Sequence, residues 1–401
     1  MDKRIVVTGI GVISSVGIDK DKFWKNLLAG KSGISRIDSF DTTEFPTHNG
    51  GEIKDFKAEE FIDQAKIGEM GRTSALAVAA AKLAANDAGI VSFNASRTGV
   101  VLGTTMGETK ILEKINHAWV KHGQDSIDVN LIRQYPCTVL SANVAREIGA
   151  RGYNYIIPTA CAAGNYAIGF AADLLRMGKA DIMLAGGVDA FSRIAFTGFN
   201  RLLAIAPEKV QPFDKNRKGM MVGEGAGIVV LEPLERAKAR KAPVYAEVLG
   251  YGLSCDAHHM TAPFSEGIKE AIKKALAESN ISPENVDYIS AHGTGTPAND
   301  KEESLAIKKV FGELAGKIPV SSIKSMLGHT MGAASAIEAI ACCLAVYSDM
   351  IPPTINFETP DPECVLDCVP NKSRNIKVNI ALNNASAFGG NNACLAVKKF
   401  S

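Results

Sequence analysis

Four side chains capable of chemistry each lie just after a short apolar segment that predicts a buried β-strand. They are Cys161, His292, Lys324 and His329. Ligands of open parallel sheets bind outside the carboxyl ends of the strands, so we expect these side chains to share one crevice. A thiol in such a crevice is a candidate nucleophile.

The cysteine stands in the segment 159–165 (TACAAGN), between a predicted strand at 154–158 and a predicted helix from Cys161 to Met177. A thiol at a helix N-terminus is close to the positive end of the helix dipole and to unpaired N–H groups, so we expect a lowered pKa. The small neighbours leave room for an acyl group. The alternative is a buried, inert cysteine.

The two histidines lie in glycine-rich segments. His292 begins the loop HGTGTP, in which Thr294 and Thr296 alternate with glycine and offer hydroxyls to an extended polar ligand. The loop lacks the GxxxxGK[ST] pattern of a phosphate loop. The alternative for His292 is a histidine that only caps a turn.

Lys324 precedes His329 by five residues, in the segment SIKSMLGHTMG that leads into a long apolar helix. Lys324 is either a solvated loop lysine or the buried partner of Glu338, a lone charge on that helix, since a buried charge needs a partner. Phe388 opens the sequence FGGNN between the last two predicted strands. Its two glycines permit an unusual backbone path, and a plain hairpin turn is the alternative.

Composition excludes several classes of protein. The 401 residues carry 44 basic and 43 acidic side chains, which argues against a nucleic-acid partner. No stretch reaches the roughly 18 uninterrupted apolar residues of a membrane span, and no signal peptide is recognisable at the start. The eight cysteines lack CxxC spacing and predict reduced thiols in the cytoplasm, with no zinc site. No cofactor is predicted.

Strands and helices alternate through the whole chain, which predicts an α/β protein with parallel strands. The order of elements in the first part is repeated, more briefly, in the second. We therefore predict two similar halves, residues 1–245 with the cysteine and 246–401 with the histidines and the lysine, packed as one unit.

Taken together, these motifs resemble the elongating, type II β-ketoacyl-[acyl carrier protein] synthases of the thiolase superfamily. The segments 6–11 (VVTGIG), 223–227 (GEGAG) and 352–356 (PPTIN) also match, and the resemblance covers nearly the whole chain. It implies a thiolase-like fold, in which two βαβαβαββ halves form five layers in the order α-β-α-β-α.

The resemblance also implies the activity, a decarboxylative condensation that elongates a fatty acid or polyketide chain. Cys161 would take the acyl chain from an acyl carrier protein, and His292 and His329 would stabilise the enolate formed from malonyl thioester. Such enzymes are usually homodimers, and some pair with a chain-length factor instead. A membrane partner is not expected.

Further roles follow from the same resemblance. The N–H groups of Cys161 and Phe388 would form an oxyanion hole, and Lys324 with Glu338 would orient the site. Thr294 and Thr296 would hold the phosphopantetheine arm, and Met106 would stand at the wall of the acyl pocket.

Several positions depart from the family pattern. Lys218 and Met220 replace the aspartate and phenylalanine of the usual Arg-Asp-Gly-Phe, Ala387 replaces a glycine, and Asn391 a threonine. The basic cluster that normally meets the carrier protein is thin, with Lys66 and Arg72 near its place. These departures keep open a ketosynthase of a specialised polyene, polyketide or unusual-lipid pathway. A non-enzymatic chain-length partner is the third reading, against which the intact cysteine argues.

Overall fold

The computed structural model describes residues 3–90 and 93–400. The strands in chain order are β1 Ile5–Ser14, β2 Gly17–Ile18, β3 Ser35–Arg36, β4 Asn49–Gly50, β5 Thr98–Gly103, β6 Asn154–Ile157, β7 Ile182–Asp189, β8 Gly225–Pro233, β9 Ala246–Cys255, β10 Tyr288–Ser290, β11 Val320–Ser321, β12 Met350–Ile351, β13 Arg374–Asn375, β14 Ile380–Ser386 and β15 Asn391–Lys398.

The helices in chain order are α1 Lys20–Leu28, α2 Gln64–Ile67, α3 Arg72–Asp87, α4 Thr109–His122, α5 Val129–Gln134, α6 Val139–Ile148, α7 Ala163–Arg176, α8 Arg193–Arg201, α9 Leu234–Ala239, α10 Ser265–Glu278, α11 Pro297–Phe311, α12 Lys324–Leu327 and α13 Ala334–Ser348. Short 3₁₀ turns precede α7 at Ala160–Ala162 and α13 at Met331–Ala333.

Most strands join one mixed sheet in the order β11-β10-β14-β15-β9-β1-β8-β7-β5-β6. The two ends of this order have the same pattern. In β6-β5-β7-β8-β1 the first two pairings are parallel and the last two antiparallel, and β11-β10-β14-β15-β9 repeats that sequence of pairings. The two five-stranded halves meet where β1 pairs with β9, with Ile5 opposite Val248.

Three hydrophobic clusters divide the protein into five layers. One cluster lies between α3, α6 and the first half-sheet, and a second lies between α10, α11 and the other half-sheet. The third and largest lies between the half-sheets, around α7 and α13. Alternation along β8 shows the logic, because Val229 and Leu231 face the central cluster while Ile228 and Val230 face the outer one. The predicted α-β-α-β-α arrangement is confirmed.

The two central helices approach each other closely at their N-terminal ends. A Cβ on Gly164 of α7 would lie 2.4 Å from the backbone nitrogen of Ala336 in α13, and a Cβ on Gly103 would lie 2.4 Å from the carbonyl carbon of Ala163. The small residues that the sequence places after Cys161 therefore let the start of α7 meet the start of α13.

Helix α13 is apolar because it is enclosed by protein. The segment Met331–Ser348 is long and apolar enough to cross a membrane by length and composition, with a mean hydropathy of 1.5, yet 89% of it is buried within the fold. Buried on all sides by the two half-sheets and α7, it is the core helix of the central layer.

Candidate active site

Cys161 lies in the 3₁₀ turn that leads into α7, at the end of the stretch that follows β6. The preceding Ala160 has φ of 49°, a left-handed conformation that is costly for a residue with a Cβ. Backbone strain of this kind is typical of functional sites, where surrounding structure holds a side chain in a defined direction. Cys161 as a residue is 7% exposed.

His329 is held from both sides by the backbone. Its own N–H donates to the carbonyl oxygen of Met221 at 2.6 Å, and its Nδ1 accepts from the N–H of Met331 at 3.1 Å. Because Nδ1 is an acceptor, the proton of the neutral ring is on Nε2. Burial, with the nearby Lys324 ammonium, holds the pKa of His329 well below 6.5, so the ring is neutral.

His292 is fixed in the same tautomer by different groups. The Nζ of Lys324 lies 3.4 Å from the Nδ1 of His292 and donates to the carbonyl oxygen of His292 at 2.7 Å. The backbone N–H of His292 donates to Glu303 at 2.7 Å. Burial, the Lys324 charge and His329 hold the pKa of His292 well below 6.5. Both imidazoles are therefore neutral, with an Nε2–H available to a ligand.

The thiol and the two imidazoles form one cluster. The Cys161 sulfur and a ring nitrogen of each of His292 and His329 lie within 4.8 Å of one another, and the two rings meet edge to face with centroids 5.4 Å apart. Thiolate and imidazole also suit zinc. The Lys324 ammonium beside both rings disfavours a second cation, and the cluster is better suited to hold a polarised carbonyl group next to a thiol.

Lys324 and Glu338 form a buried ion pair, each side chain 2% exposed. The lysine, at the start of α12, thereby meets the helix α13 that carries Glu338. Burial raises the pKa of Glu338 to about 7 despite the lysine. Of the two readings left open by the sequence, a solvated loop lysine is wrong, because the side chain lies in the core between α13 and His292.

The pKa expected for Cys161 is wrong in direction. The sequence predicts a lowered value from the helix N-terminus, whereas burial raises the pKa of this thiol to about 12, against a smaller opposing effect of Lys324. A sequence shows that a helix begins near the thiol, but it does not show how completely α13 and the loops around it exclude water. At neutral pH the Cys161 side chain is therefore a neutral thiol.

A cavity of about 340 Å³ leads from the surface to the cluster. Cys161, His292 and His329 lie in its buried part, and Thr294 and Thr296 line it with hydroxyl oxygens 2.8 Å apart. Exposed Leu202, Leu203 and Met260 line the same cavity where it meets solvent. The space suits a long ligand whose reactive end lies at the thiol.

Phe388 lines the cavity, is 38% exposed, and lies 5.7 Å from the Phe199 ring between ring centroids. Gly389 and Gly390 have φ of 86° and 80°, so the loop needs glycine at both positions. Its backbone bonds to the loop after β9, where the Gly389 N–H donates to Met260 at 2.8 Å and Gly390 accepts from Asp256 at 2.9 Å.

Met106, predicted for the wall of the acyl pocket, does not line the cavity. Its neighbour Thr105 lines the cavity, whereas Met106 packs, partly buried, against a cluster that includes Phe191 and Phe196. Phe199 packs against the same cluster and does line the cavity. Met106 therefore lies behind the cavity wall.

Two buried carboxylates that position the site escaped the sequence analysis. Asp189, at the end of β7, accepts from the N–H groups of Thr105, Met106 and Gly332 at 2.6 to 2.9 Å, and burial raises its pKa to about 6. Glu303 on α11 accepts from the N–H groups of His292 and its neighbour. Asp189 comes shortly after the pair Gly186-Gly187, which is a sequence signal for a strand end, whereas no sequence feature marks Glu303 as a site residue.

The thin basic cluster noted in the sequence is already engaged. Arg72 forms a bidentate contact with the buried Glu224, and Lys66 bonds to the buried Glu147 at 2.8 Å. Both cations therefore stabilise the fold around α3, and neither is a free charge for a partner.

The fold and the cluster define a class: a thiolase-like protein with one cysteine and two neutral histidines at the meeting point of its halves. Two family models match the sequence, beta-ketoacyl synthase N-terminal domain over residues 2–237 and beta-ketoacyl synthase C-terminal domain over residues 245–358. The chain belongs to the β-ketoacyl synthase family.

Known proteins resemble it along its whole length. The 3-oxoacyl-[acyl-carrier-protein] synthase 2 of Synechocystis sp. is 43% identical, over 99% of this chain and 98% of that protein. Among solved structures, the ishigamide ketosynthase/chain length factor superposes with a TM-score of 0.98 at 45% identity. A ketosynthase bound to a hexaketide, in complex with its type II polyketide acyl-carrier protein, superposes with a TM-score of 0.93 at 34% identity. Both cover 100% of each chain.

Proposed function

We propose that the protein is a β-ketoacyl-[acyl carrier protein] synthase that joins an acyl chain on Cys161 to malonyl carrier protein with loss of carbon dioxide. The observation that carries the proposal is the Cys161, His292 and His329 cluster, in which both ring Nδ1 atoms are occupied and both Nε2–H groups are free to donate. The full-length resemblance to 3-oxoacyl-[acyl-carrier-protein] synthases supports it.

In the first half-reaction the Cys161 sulfur attacks the acyl thioester of a carrier protein. The S–C bond to the carrier breaks, the carrier thiol leaves with the proton that the Cys161 thiol held, and the acyl group remains on Cys161. The N–H groups of Cys161 and Phe388 hold the carbonyl oxygen as it becomes negative, which is worth roughly 3 kcal/mol for each such donor.

In the second half-reaction malonyl carrier protein enters the same cavity. The bond to its carboxylate breaks, carbon dioxide leaves, and the electron pair forms an enolate whose oxygen accepts from the Nε2–H groups of His292 and His329. Neutral rings suit this role, because each keeps its proton on the nitrogen that faces the ligand. Lys324, paired with Glu338, holds His292 through its carbonyl oxygen and Nδ1.

The enolate carbon then attacks the acyl carbonyl on Cys161. A carbon–carbon bond forms, the bond to the Cys161 sulfur breaks, and the thiolate takes a proton from solvent. The product is a 3-oxoacyl chain on the carrier protein, two carbons longer. Thr294 and Thr296 hydrogen-bond the phosphopantetheine arm in the cavity during both half-reactions.

Replacing the nucleophile tests the proposal. Cys161→Ala should abolish condensation, because no other group holds the acyl chain, and should still release carbon dioxide from malonyl carrier protein, because the histidines remain. Condensation and carbon dioxide release are measured separately, with Cys137→Ala, a partly buried thiol outside the cavity lining, as the matched control. Condensation by Cys161→Ala at even a hundredth of the normal rate would contradict the nucleophile assignment.

We also propose that β6 is the edge at which a second chain pairs, as a homodimer or as a heterodimer with a chain-length factor. β6 ends the sheet, and Tyr155 on it is 43% exposed and packs edge to face on the 37% exposed Phe170. An open edge with exposed aromatic rings is a typical site for strand pairing between chains. The solved ishigamide ketosynthase/chain length factor favours the heterodimer and a specialised pathway.

We place the enzyme in the cytoplasm. All eight cysteines are free, and five of them are buried in the core away from the site. Free thiols in this number are usual in a reducing compartment.

One experiment distinguishes the homodimer from the heterodimer with a chain-length factor. Co-purification with a chain-length partner from the source cell would show the heterodimer, and self-association of the chain expressed alone would show the homodimer.

A further inference from the structure

We propose that Lys218 is the anion-recognition residue of the cavity, and that it binds the phosphate of a phosphopantetheine arm where the arm leaves the protein. This inference rests on the proposed function and goes beyond it, because it assigns a subsite to a residue that departs from the family pattern. Where the pattern has an acidic aspartate, this chain places a cation.

The first argument is the charge of the cavity wall. Among the described residues that line the cavity, Lys218 is the only lysine or arginine. His292 and His329 are neutral, and the carboxylate of Asp256 is engaged by Asn392 at 2.7 Å and by the N–H of Phe264 at 3.2 Å. A negatively charged ligand group therefore meets Lys218, with His259 as the other exposed basic side chain of the described cavity wall.

The second argument is position along the cavity. The reactive cluster is buried, whereas Lys218 is exposed and lines the cavity together with the exposed Leu202 and Leu203. A phosphopantetheine thioester carries its sulfur at one end and its phosphate at the other. With the thioester at Cys161, the phosphate lies toward the solvent end of the cavity, on the side where the lysine stands.

The third argument is the rigidity of the backbone that carries Lys218. The preceding Arg217 is buried and bonds to Asp361 and to the carbonyl oxygen of Asp214 at 2.9 Å, so its charge is already used. The following Gly219 donates its N–H to Gly295 at 2.9 Å, between Thr294 and Thr296. Lys218 is thus anchored beside the threonine loop, while its own ammonium forms no ion pair within residues 3–90 and 93–400.

The experiment compares two probes that differ only in the phosphate, hexanoyl-phosphopantetheine and hexanoyl-pantetheine. Loading of Cys161 is followed by intact-protein mass. The unmodified enzyme should load the phosphorylated probe with a KM about fivefold lower, the effect of one charged contact at a partly exposed site. Lys218→Ala should abolish that preference, Lys218→Arg should keep it, and 0.5 M salt should weaken it.

Lys215→Ala is the matched control, because Lys215 is exposed on the same segment but does not line the cavity. It should leave the preference unchanged. A preference that survives in Lys218→Ala, or the absence of any preference in the unmodified enzyme, would overturn the proposal. So would a Lys218→Ala defect seen with acyl carrier protein but not with hexanoyl-phosphopantetheine, since the lysine would then contact the carrier surface.

Failure of the proposed function gives a different result. In that case neither probe loads Cys161, and protection of the thiol against iodoacetamide replaces loading as the readout. In the unmodified protein, phosphopantetheine should still protect Cys161 at about fivefold lower concentration than pantetheine. In Lys218→Ala, the two compounds should protect Cys161 at the same concentration. Equal protection by the two compounds in the unmodified protein would reject the phosphate subsite on its own.

Discussion

At the residue scale, the chemistry depends on which nitrogen of each imidazole carries the proton. A backbone N–H at Met331 and the Lys324 ammonium occupy the two Nδ1 atoms, so His329 and His292 both present a donor. A charged imidazolium would also donate hydrogen bonds, but burial makes the charged form of each ring unfavourable. The neutral pair keeps its hydrogen bonds at every pH at which the protein is folded and the rings stay unprotonated.

His292→Ala and His329→Ala should each lower the rate of carbon dioxide release by roughly 10²- to 10³-fold, the usual cost of one oxyanion donor. Acyl transfer to Cys161 should be less affected, because that step uses backbone donors. Decarboxylation and acylation are measured separately, with His117→Ala, an exposed histidine on α4, as the control. A variant that decarboxylates normally and fails only at acylation would show that these roles are wrong.

The raised pKa of Cys161 predicts how the thiol responds to pH. Because the pKa is about 12, the thiolate fraction rises about tenfold for each pH unit over the neutral and mildly alkaline range. Alkylation by iodoacetamide, measured on the whole protein by mass at Cys161, should therefore rise steadily from pH 7 to pH 9. A plateau in the alkylation rate near pH 7 would show that the pKa of Cys161 is lowered, as the helix N-terminus alone suggests.

At the element scale, the site forms where the start of α7, the start of α13 and the loops after β10 and β14 come together. The sequence was sufficient to place Cys161, His292 and Lys324 shortly after strand ends, because glycine-rich loops after apolar runs are local signals, whereas His329 follows the short helix α12. It could not place Met106 relative to the cavity. That position depends on how α8 and the aromatic cluster around Phe191 fill the space behind the wall.

The Phe388 loop should depend on glycine at position 390. Gly390 has φ of 80°, and a Cβ there would lie 2.9 Å from the Cβ of Asp256, so Gly390→Ala should cost about 1–2 kcal/mol of stability and slow acyl loading several-fold. Thermal unfolding and loading rates measure both effects. Gly316→Ala, where a Cβ meets nothing within 4 Å, should change neither. Normal loading by Gly390→Ala would show that acyl loading does not depend on the conformation of this loop.

Met106→Phe should shorten the longest acyl chain that Cys161 accepts, while short chains still load. Although Met106 lies behind the wall, a phenylalanine ring at this position should push the cluster that includes Phe196 toward the cavity. Each methylene of the acyl chain that is then no longer buried costs about 0.8 kcal/mol. Acylation rates across a series of chain lengths test this. An unchanged length profile would mean that the chain does not run toward this residue.

At the scale of the whole molecule, neither half holds a complete site. The thiol comes from the first run of elements and both imidazoles from the second, and the central cluster is built from both. The two half-sheets share one core, so we expect a single cooperative unfolding transition across the division that we predict at residue 245. The order of elements predicted this repeat; the direct pairing of β1 with β9 left no sequence signal.

Tyr155→Glu should convert the proposed dimer into monomers at micromolar concentration. In a symmetric pairing of two β6 strands, the carboxylate at position 155 would face the same carboxylate of the second chain. Burying these two negative charges in the interface is costly. Sedimentation velocity measures the change. Val365→Glu, which alters a 69% exposed apolar residue in the second half, should leave the assembly intact. A dimer that tolerates Tyr155→Glu would place the interface elsewhere.

The position of β1 bears on how the chain matures during translation. β1 leaves the ribosome about 210 residues before β8, yet it pairs on one side with β8 at residues 225–233 and on the other with β9 at Ala246 to Val248. At about 5–20 residues per second, this apolar strand waits on the order of ten seconds or longer for either neighbour. Holdase chaperones that bind exposed nascent strands should therefore raise the yield of folded enzyme more than faster synthesis does.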